Sequence, residues 1–314
     1  MNDRGMKNRG MKRLVALVAA VPLAACIPAT EEPVAQTAPV VTALASVAVA
    51  VPKPTPAPVA TGPAQFVFDG ELTQGGWIRG QAPAGSETVA LGEQQVPIDE
   101  DGYFFAAFDR DEGAQVMLTA VLGDGAVRSV PITVAPRDWQ IERVNVARRA
   151  GGMSDAFWRI REPELNRINA AREVRSATQG WRQAFIWPAT GRISGRFGSQ
   201  RIYRGEPGSY HSGLDIAPGA GVPFVAPADG VVVLAAPEEF SLEGKLLILD
   251  HGMGLNSAFL HASRLDVQTG DTVRQGQQLG LIGATGRATG PHLHWSMKWQ
   301  DSRLDPLLFL SPMP

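Results

Sequence analysis

The sequence is poor in the residues that build disulfide-bonded proteins and cysteine-based metal sites. Its 314 residues include one cysteine and five histidines. A single cysteine excludes an internal disulfide and a zinc site made of several thiolates, so metal chemistry would have to use histidine and carboxylate side chains. There is also no H-E-x-x-H sequence, which excludes a helical zinc site with a glutamate base of that type.

An excess of positive charge is absent as well. The chain has 29 Lys and Arg against 31 Asp and Glu, a formal net charge of −2, so no nucleic-acid partner is expected. The length allows two domains, and 44% hydrophobic residues are enough for their cores. The 34 glycines and 24 prolines favour turn-rich β structure joined by a linker.

No apolar run near the amino terminus is long enough to cross a membrane. The run over 14–25 has 12 residues, whereas a spanning helix needs about 20. Because it follows basic residues and ends in small ones, it is typical of a secretory signal. The sequence leaves open whether translation starts at Met1, Met6 or Met11.

The end of this run, Leu23-Ala24-Ala25-Cys26, resembles the lipobox of bacterial lipoproteins. The resemblance implies a lipoprotein signal peptide over 1–25 and a lipid anchor to the membrane on Cys26, since several acyl chains together anchor stably. Because Ile27 follows, we expect an outer-membrane lipoprotein on the periplasmic face of the cell envelope. A free cysteine inside an ordinary signal peptide is the alternative. Residues 26–65 are rich in proline and alanine and are predicted to be a tether.

The middle of the chain contains no histidine, so we expect an adaptor or spacer role there. Short β-rich runs and turns such as Asp101-Gly102 and Asp124-Gly125 predict a small β domain over 66–136, a sandwich or a barrel. An Arg-rich helical connector is predicted over 137–184, with a helix starting at Glu162, Pro163 in its first turn, and helical spacing up to Gly180.

Arginine is concentrated in the segment 137–204, which has 14 Arg, no Lys and six acidic residues. One interpretation is a basic surface that meets an anionic polymer. The other, which we favour, is a solvated face whose arginines are partly paired with acidic neighbours.

All five histidines lie in the last third of the chain. His211 and Asp215 are four residues apart, and His292 and His294 are two apart. In an extended chain such spacings place both side chains on one face, where they can converge on an ion. Two histidines and one aspartate would leave the fourth zinc position to water, as in catalytic sites.

Five ordered motifs resemble those of the lysostaphin/LytM-type zinc metallopeptidases, which are peptidoglycan endopeptidases. They are H-S-G-L-D at 211–215, A-P-A-D-G at 226–230, D-H-G-M-G at 250–254, L-H at 260–261 and G-A-T-G-R-A-T-G-P-H-L-H-W at 283–295. The resemblance places a peptidase domain over 185–314. One departure from the family pattern is Phe259, where family members often have tyrosine.

The resemblance also implies the roles of the site residues. One Zn²⁺ would be bound by His211, Asp215 and His294. The catalytic residues would be His261 and His292, one as the base and the other as the stabiliser of the tetrahedral oxyanion, and which does which stays open. The fifth histidine, His251, stands at a strand end and is interpreted as a hydrogen-bonding turn residue.

The predicted fold is mainly β: a small N-terminal sandwich or barrel, a short helical connector and a C-terminal antiparallel-sheet domain. The predicted activity is hydrolysis of peptide cross-links in peptidoglycan by a metal-bound hydroxide, with the D-Ala to meso-diaminopimelate bond as the expected target. We also expect a cell-wall enzyme or division protein as a possible partner. The alternatives are a non-catalytic scaffold that activates a cell-wall amidase, a pure peptidoglycan-binding module, and an enzyme autoinhibited by the segment 203–210 or the Arg-rich helix.

Overall fold

A computed structural model describes residues 61–147 and 154–314. The predicted signal peptide, Cys26 and nearly all of the predicted tether lie outside the described residues. The described residues belong to one compact unit. Within the described ranges no helix is long and apolar enough to cross a membrane. The mainly β fold predicted from the sequence is confirmed, since these ranges contain twenty strands, one α-helix and two short 3₁₀ turns.

Seven strands build the N-terminal region in two antiparallel sheets. One sheet has the order β1-β2-β5 and the other β4-β3-β6-β7. Buried side chains from both sheets, including Ile78, Phe104 and Leu118, belong to one hydrophobic cluster, so the region is a sandwich. The strands are β1 (Val67–Glu71), β2 (Trp77–Gln81), β3 (Ser86–Leu91), β4 (Gln94–Val96), β5 (Tyr103–Ala107), β6 (Gln115–Leu122) and β7 (Val127–Thr133).

Two of the predicted turns show why glycine is needed there. Gly102 has φ 79° and Gly125 has φ 82°. Both lie in the left-handed region, which a residue with a Cβ adopts at a cost. The aspartate-glycine pairs therefore form the turns that the sequence predicts.

The helix differs from its prediction at both ends, since it also stops at Glu173, well before Gly180. α1 (Asp155–Glu173) starts seven residues earlier than expected, after Ser154, whose hydroxyl accepts a hydrogen bond from the Phe157 N–H. Pro163 therefore lies inside the helix and not in its first turn. The predicted start is wrong because the Ser154 cap, and not the proline, determines where the helix begins. The helix tolerates the N–H that Pro163 lacks.

A small sheet of three strands lies in and after the predicted connector. β8 (Ile141–Val144) pairs in parallel with β10 (Gln200–Tyr203), which pairs with β11 (Glu206–Pro207). The connector is thus not purely helical. The sequence did not indicate β8, because a strand of four residues forms only where a partner edge is available.

The C-terminal region is one sheet of ten strands. Its main order is β17-β14-β15-β16-β19-β12-β9, β18 joins β13 to β16, and β20 pairs with β19. Runs punctuated by glycine and proline predict five strands there, at 231–235, 245–249, 254–260, 278–282 and 292–297, and all five are present. The bounds are β9 (Arg192–Gly195), β12 (Leu214–Ala217), β13 (Pro223–Val225), β14 (Gly230–Phe240), β15 (Gly244–Asp250), β16 (Leu255–Leu265), β17 (Thr272–Val273), β18 (Gln278–Ile282), β19 (Leu293–Trp299) and β20 (Ser302–Leu304).

The sandwich packs directly on the C-terminal region. Trp77 and Phe105 of the sandwich both stack on Phe309, with ring centroids 5.2 and 6.3 Å apart. The Trp77 indole N–H also donates to the Leu308 carbonyl at 3.1 Å. Because such stacked aromatics bury a large apolar area, the first seven strands share a core with the C-terminal region, which the sequence did not predict.

Candidate active site

The three predicted ligands converge on one point. His211 Nε2, Asp215 Oδ1 and His294 Nδ1 lie 3.0, 3.1 and 2.9 Å apart in pairs. The sheet register is responsible, because Asp215 on β12 stands opposite His294 on β19. His211 precedes β12 and reaches the same point from the loop. Within the part of the chain that the structure describes, this is the one group of three or more such side chains arranged to hold a metal ion.

The geometry of these atoms fits a zinc ion. Zinc bonds of about 2.0 to 2.1 Å at tetrahedral angles separate neighbouring ligand atoms by about 3.3 Å. The observed separations of 2.9 to 3.1 Å are close to that value. Two imidazole nitrogens and one carboxylate oxygen are also donors that zinc accepts. These three side chains, the ligand set, are therefore suited to hold a metal ion with one tetrahedral position to spare.

A backbone carbonyl orients His211. Its Nδ1–H donates to the Arg196 carbonyl at 3.0 Å. This hydrogen bond fixes the ring and its tautomer, so that the Nε2 lone pair points to Asp215 and His294.

Charge and burial set the protonation of the ligands. Burial alone would raise the pKa of Asp215, but hydrogen bonds with His211 and His294 hold it well below its usual range. Burial lowers the pKa of His294. At neutral pH the carboxyl group is therefore ionised and the His294 imidazole is neutral, which are the forms that bind a metal ion.

The two predicted catalytic histidines lie beside this ligand set. The ring centroids of His261 and His292 are 4.9 Å apart, and His292 Nε2 is 3.7 Å from Asp215 Oδ1. The His292 Nδ1–H donates to the Gly290 carbonyl at 2.8 Å, and the His261 Nδ1–H donates to the Thr285 carbonyl at 2.9 Å. Both rings therefore keep Nε2 available for proton transfer or hydrogen bonding to a substrate.

A β-bulge in β16 determines the orientation of His261. Leu260 and His261 of β16 together stand opposite Leu246 of β15, between the pairs Leu247–Phe259 and Lys245–Ala262. His261 has φ 68°, in the left-handed region. Bulges re-aim side chains beside active sites, and here the bulge turns a histidine of an interior strand toward the ligand set.

His251 does not belong to the site. It is fully buried, its Nδ1–H donates to the Asp229 carbonyl, and its Nε2 accepts from the Ser257 hydroxyl, both at 2.8 Å. The interpretation of His251 as a hydrogen-bonding residue agrees with this arrangement. Burial lowers its pKa to about 4.

This buried histidine predicts a pH dependence of stability. The unfolded chain takes up a proton at His251 near pH 6.5, whereas the folded chain does so only near pH 4. The free energy of unfolding of the metal-free protein should therefore fall as pH is lowered from 6.5 to 4, by up to about 3 kcal/mol from this residue. Urea unfolding at a series of pH values measures the slope. His251→Asn should have a shallower slope than wild type, and an equal slope would contradict the assignment.

An open cleft of about 1330 Å³ adjoins the ligand set at His211. Its walls come from β9, from the small sheet and from the loop that carries Arg287. The segment 203–210, considered above as an inhibitory cover, contributes Tyr203 and Tyr210 to the wall. The site is thus reached from an extended open surface.

Several arginines of the segment 137–204 form ion pairs, which favours the interpretation of partly paired arginines. Many of their partners lie far away in the sequence. The pairs are Arg137–Asp305, Arg161–Glu243, Arg167–Glu238, Arg182–Asp99 and Arg201–Glu142.

Other features of the site had no signal in the sequence. The carbonyls of Arg196 and Thr285 orient histidines, but backbone acceptors carry no residue-type signature. Phe259, which replaces the tyrosine common in the family, is fully buried and packs against Phe224 and Trp295. It serves the core and not the cleft.

The fold and site define an antiparallel β-sheet domain with a two-histidine, one-aspartate metal-ligand set at an open cleft. Residues 209–306 match peptidase family M23. This part of the chain is therefore an M23 peptidase domain, in agreement with the resemblance that its motifs indicate.

Known proteins resemble parts of this chain. The peptidoglycan DD-endopeptidase ShyA of Vibrio cholerae is 37% identical over 34% of this chain and 24% of its own length. The lipoprotein NlpD/LppB homolog of Pseudomonas aeruginosa is 36% identical over 43% of this chain and 41% of its own length. The chain thus spans about a quarter of ShyA and less than half of the NlpD/LppB homolog.

A solved structure shares more of the architecture. A crystal structure described as a peptidase M23 from Pseudomonas aeruginosa aligns with 76% of this chain and 94% of its own, at 27% identity and a TM-score of 0.59. The likeness extends well beyond residues 209–306.

Proposed function

We propose that the protein is a zinc-dependent endopeptidase that hydrolyses peptide cross-links in peptidoglycan. The observation that carries the proposal is the convergence of His211, Asp215 and His294, with His261 and His292 beside them, at an open cleft. The M23 match and relatives named peptidoglycan DD-endopeptidases support the same reaction class.

Each site residue has a distinct part in this proposal. His211, Asp215 and His294 hold the zinc ion, which when bound would activate water and polarise the scissile carbonyl. His261 and His292 divide the remaining tasks between them. One accepts the proton of the attacking water at Nε2, and the other, protonated at both ring nitrogens, donates a hydrogen bond from Nε2–H to the developing oxyanion.

The cleft suits a polymeric substrate. A cross-linked peptide belongs to a network that cannot enter a closed pocket, whereas an open cleft of about 1330 Å³ admits it from the side. We propose the D-Ala to meso-diaminopimelate cross-link as the bond that is cleaved. The relatives named DD-endopeptidases support that choice.

We propose that the enzyme is held at the periplasmic face of the outer membrane by lipid on Cys26. In this organisation residues 26–65 are the tether, 66–136 the β domain, 137–184 the connector and 185–314 the peptidase domain. The lipobox resemblance supports the anchor. Cells that express the protein should incorporate labelled palmitate into it, and Cys26→Ser should abolish this labelling. A Cys26→Ser variant that is still labelled would contradict the proposed anchor.

Digestion of purified sacculi tests the activity. The purified protein with one equivalent of zinc should convert cross-linked peptidoglycan into strands with fewer cross-links. Mass analysis of the muropeptides obtained after a muramidase has cut the glycan strands then identifies the hydrolysed bond. A chelator should stop this reaction and added zinc should restore it, because the ligand set needs the ion. If the sacculi stayed cross-linked and the protein activated a cell-wall amidase, the endopeptidase proposal would be wrong. The non-catalytic scaffold would then be the better description.

A further inference from the structure

Side chains of helix α1 bind the loop between β14 and β15, residues 241–243. The Arg161 guanidinium donates two hydrogen bonds to the Glu243 carboxylate, at 2.6 and 2.7 Å. Arg161 also donates to Glu164 on its own helix at 3.0 Å. Such a bidentate pair holds its partner in one orientation as well as attracting it.

Glu164 holds the same loop at its other end. Its carboxylate accepts hydrogen bonds from the Ser241 N–H at 2.6 Å and from the Ser241 hydroxyl at 2.5 Å. Arg161 is only 7% exposed and Glu164 only 9%, so solvent screens these interactions weakly. Two buried charged residues of α1 thus fix both ends of a three-residue loop.

The loop in turn holds His261 through the backbone. The Glu243 carbonyl accepts the His261 N–H at 2.9 Å. This is the residue with φ 68°, a conformation that residues other than glycine adopt infrequently and that persists when neighbours hold it.

A second set of contacts reaches the His261 ring. The Leu242 carbonyl accepts the Arg287 N–H at 3.0 Å, and the Lys245 N–H, one residue past Gly244, donates to the Thr285 hydroxyl at 2.9 Å. Thr285 is the residue whose carbonyl orients His261 Nδ1. Movement of the loop would therefore disturb both the backbone and the ring of His261.

We propose that Arg161 and Glu164 are positioning residues, which act through the 241–243 loop to hold His261 beside the ligand set. The proposal rests on the proposed function in one respect, that His261 takes part in the hydrolysis. The composition of α1 supports a specific role, since its three buried residues are Ala171 and these two charged side chains. A helix that only covered the sheet would bury an apolar stripe instead.

The variant Arg161→Lys tests this role, because lysine keeps the positive charge between the two carboxylates but cannot make the bidentate pair. On a purified cross-linked muropeptide dimer we expect kcat to fall by roughly tenfold to a hundredfold, since small misplacements of catalytic groups have effects of this size. KM should stay within about twofold and zinc content at one equivalent, because no ligand is moved. Arg161→Met should lose more activity.

Hydrogen exchange provides a readout independent of activity. In Arg161→Lys, peptides covering 241–244 and 259–263 should exchange at least about tenfold faster than in wild type, while other strands are unchanged. Arg167→Lys is the matched control. It lies on the same helix and loses an exposed pair with Glu238, so kcat and exchange should match wild type.

Two results would overturn the positioning role. One is that both Arg161 variants keep the wild-type kcat while their melting temperatures fall. In that case α1 would only stabilise the fold. The other is unchanged exchange at 259–263 in Arg161→Lys. If wild type cleaves no cross-link, the proposed function fails, and the exchange measurement still decides whether α1 holds His261.

Discussion

His294→Ala should lose bound zinc and at least about a thousandfold of the hydrolytic rate. His294 Nδ1 lies within 3.1 Å of both other ligand atoms, so its removal leaves two ligands for an ion that needs three from the protein. Its loss also removes a hydrogen bond that keeps the Asp215 carboxylate ionised. Metal analysis after dialysis measures the first effect, and the loss of cross-links from sacculi, counted after muramidase digestion, measures the second.

The control for this variant is His251→Asn, which removes another buried histidine outside the ligand set. At neutral pH it should keep one zinc and most of the activity, because neither His251 ring nitrogen points to the site. If His294→Ala bound zinc as wild type does and cleaved at the wild-type rate, both the ligand assignment and the proposed reaction would be wrong.

Gly195→Ala should weaken zinc binding by about tenfold to a hundredfold, the size typical of changes to the surroundings of a metal ligand. Gly195 on β9 stands opposite Asp215 on β12. A Cβ at this position would lie 2.3 Å from Asp215 Oδ2 and 3.1 Å from His211 Cε1. Alanine therefore has to displace one or both ligands, although its backbone conformation is accessible.

Competition with a chromogenic chelator measures the Kd of Gly195→Ala for zinc. Gly113→Ala is the matched control, because its Cβ would have no neighbour closer than 4.0 Å and its φ is also compatible with alanine. We expect the control to bind zinc like wild type. If both variants bound zinc equally well, β9 would have moved to accommodate the Cβ without displacing Asp215 or His211. The predicted steric effect on zinc binding would then be wrong.

Short-range patterns in the sequence were sufficient for the strands and for the ligand types. Five C-terminal strands follow from runs that glycines and prolines punctuate and that have little helical periodicity, and all five are present. The spacings His211 to Asp215 and His292 to His294 predict side chains on a shared face. Both signals involve residues that are close together in the sequence, so they can be recognised without the structure.

Helix α1 marks the limit of such patterns. Ser154 and Asp155 form a good helix start, but Pro163 was a stronger apparent signal and led to a late start. The pairing of Arg161 with Glu243 could not be predicted either. Glu243 is 82 residues away, and the residues around an arginine do not indicate which distant carboxylate it will contact.

The sequence by itself determined the chemistry of this protein: which residue types are present for a metal site, that cysteine is not among them, and that the surrounding chain is mainly β. Only the tertiary structure decided how those residues meet. The register of β12 with β19 brings Asp215 to His294, and a bulge in β16 turns His261 toward them. Register and bulges arise from the packing of whole strands against one another, so local composition does not encode them.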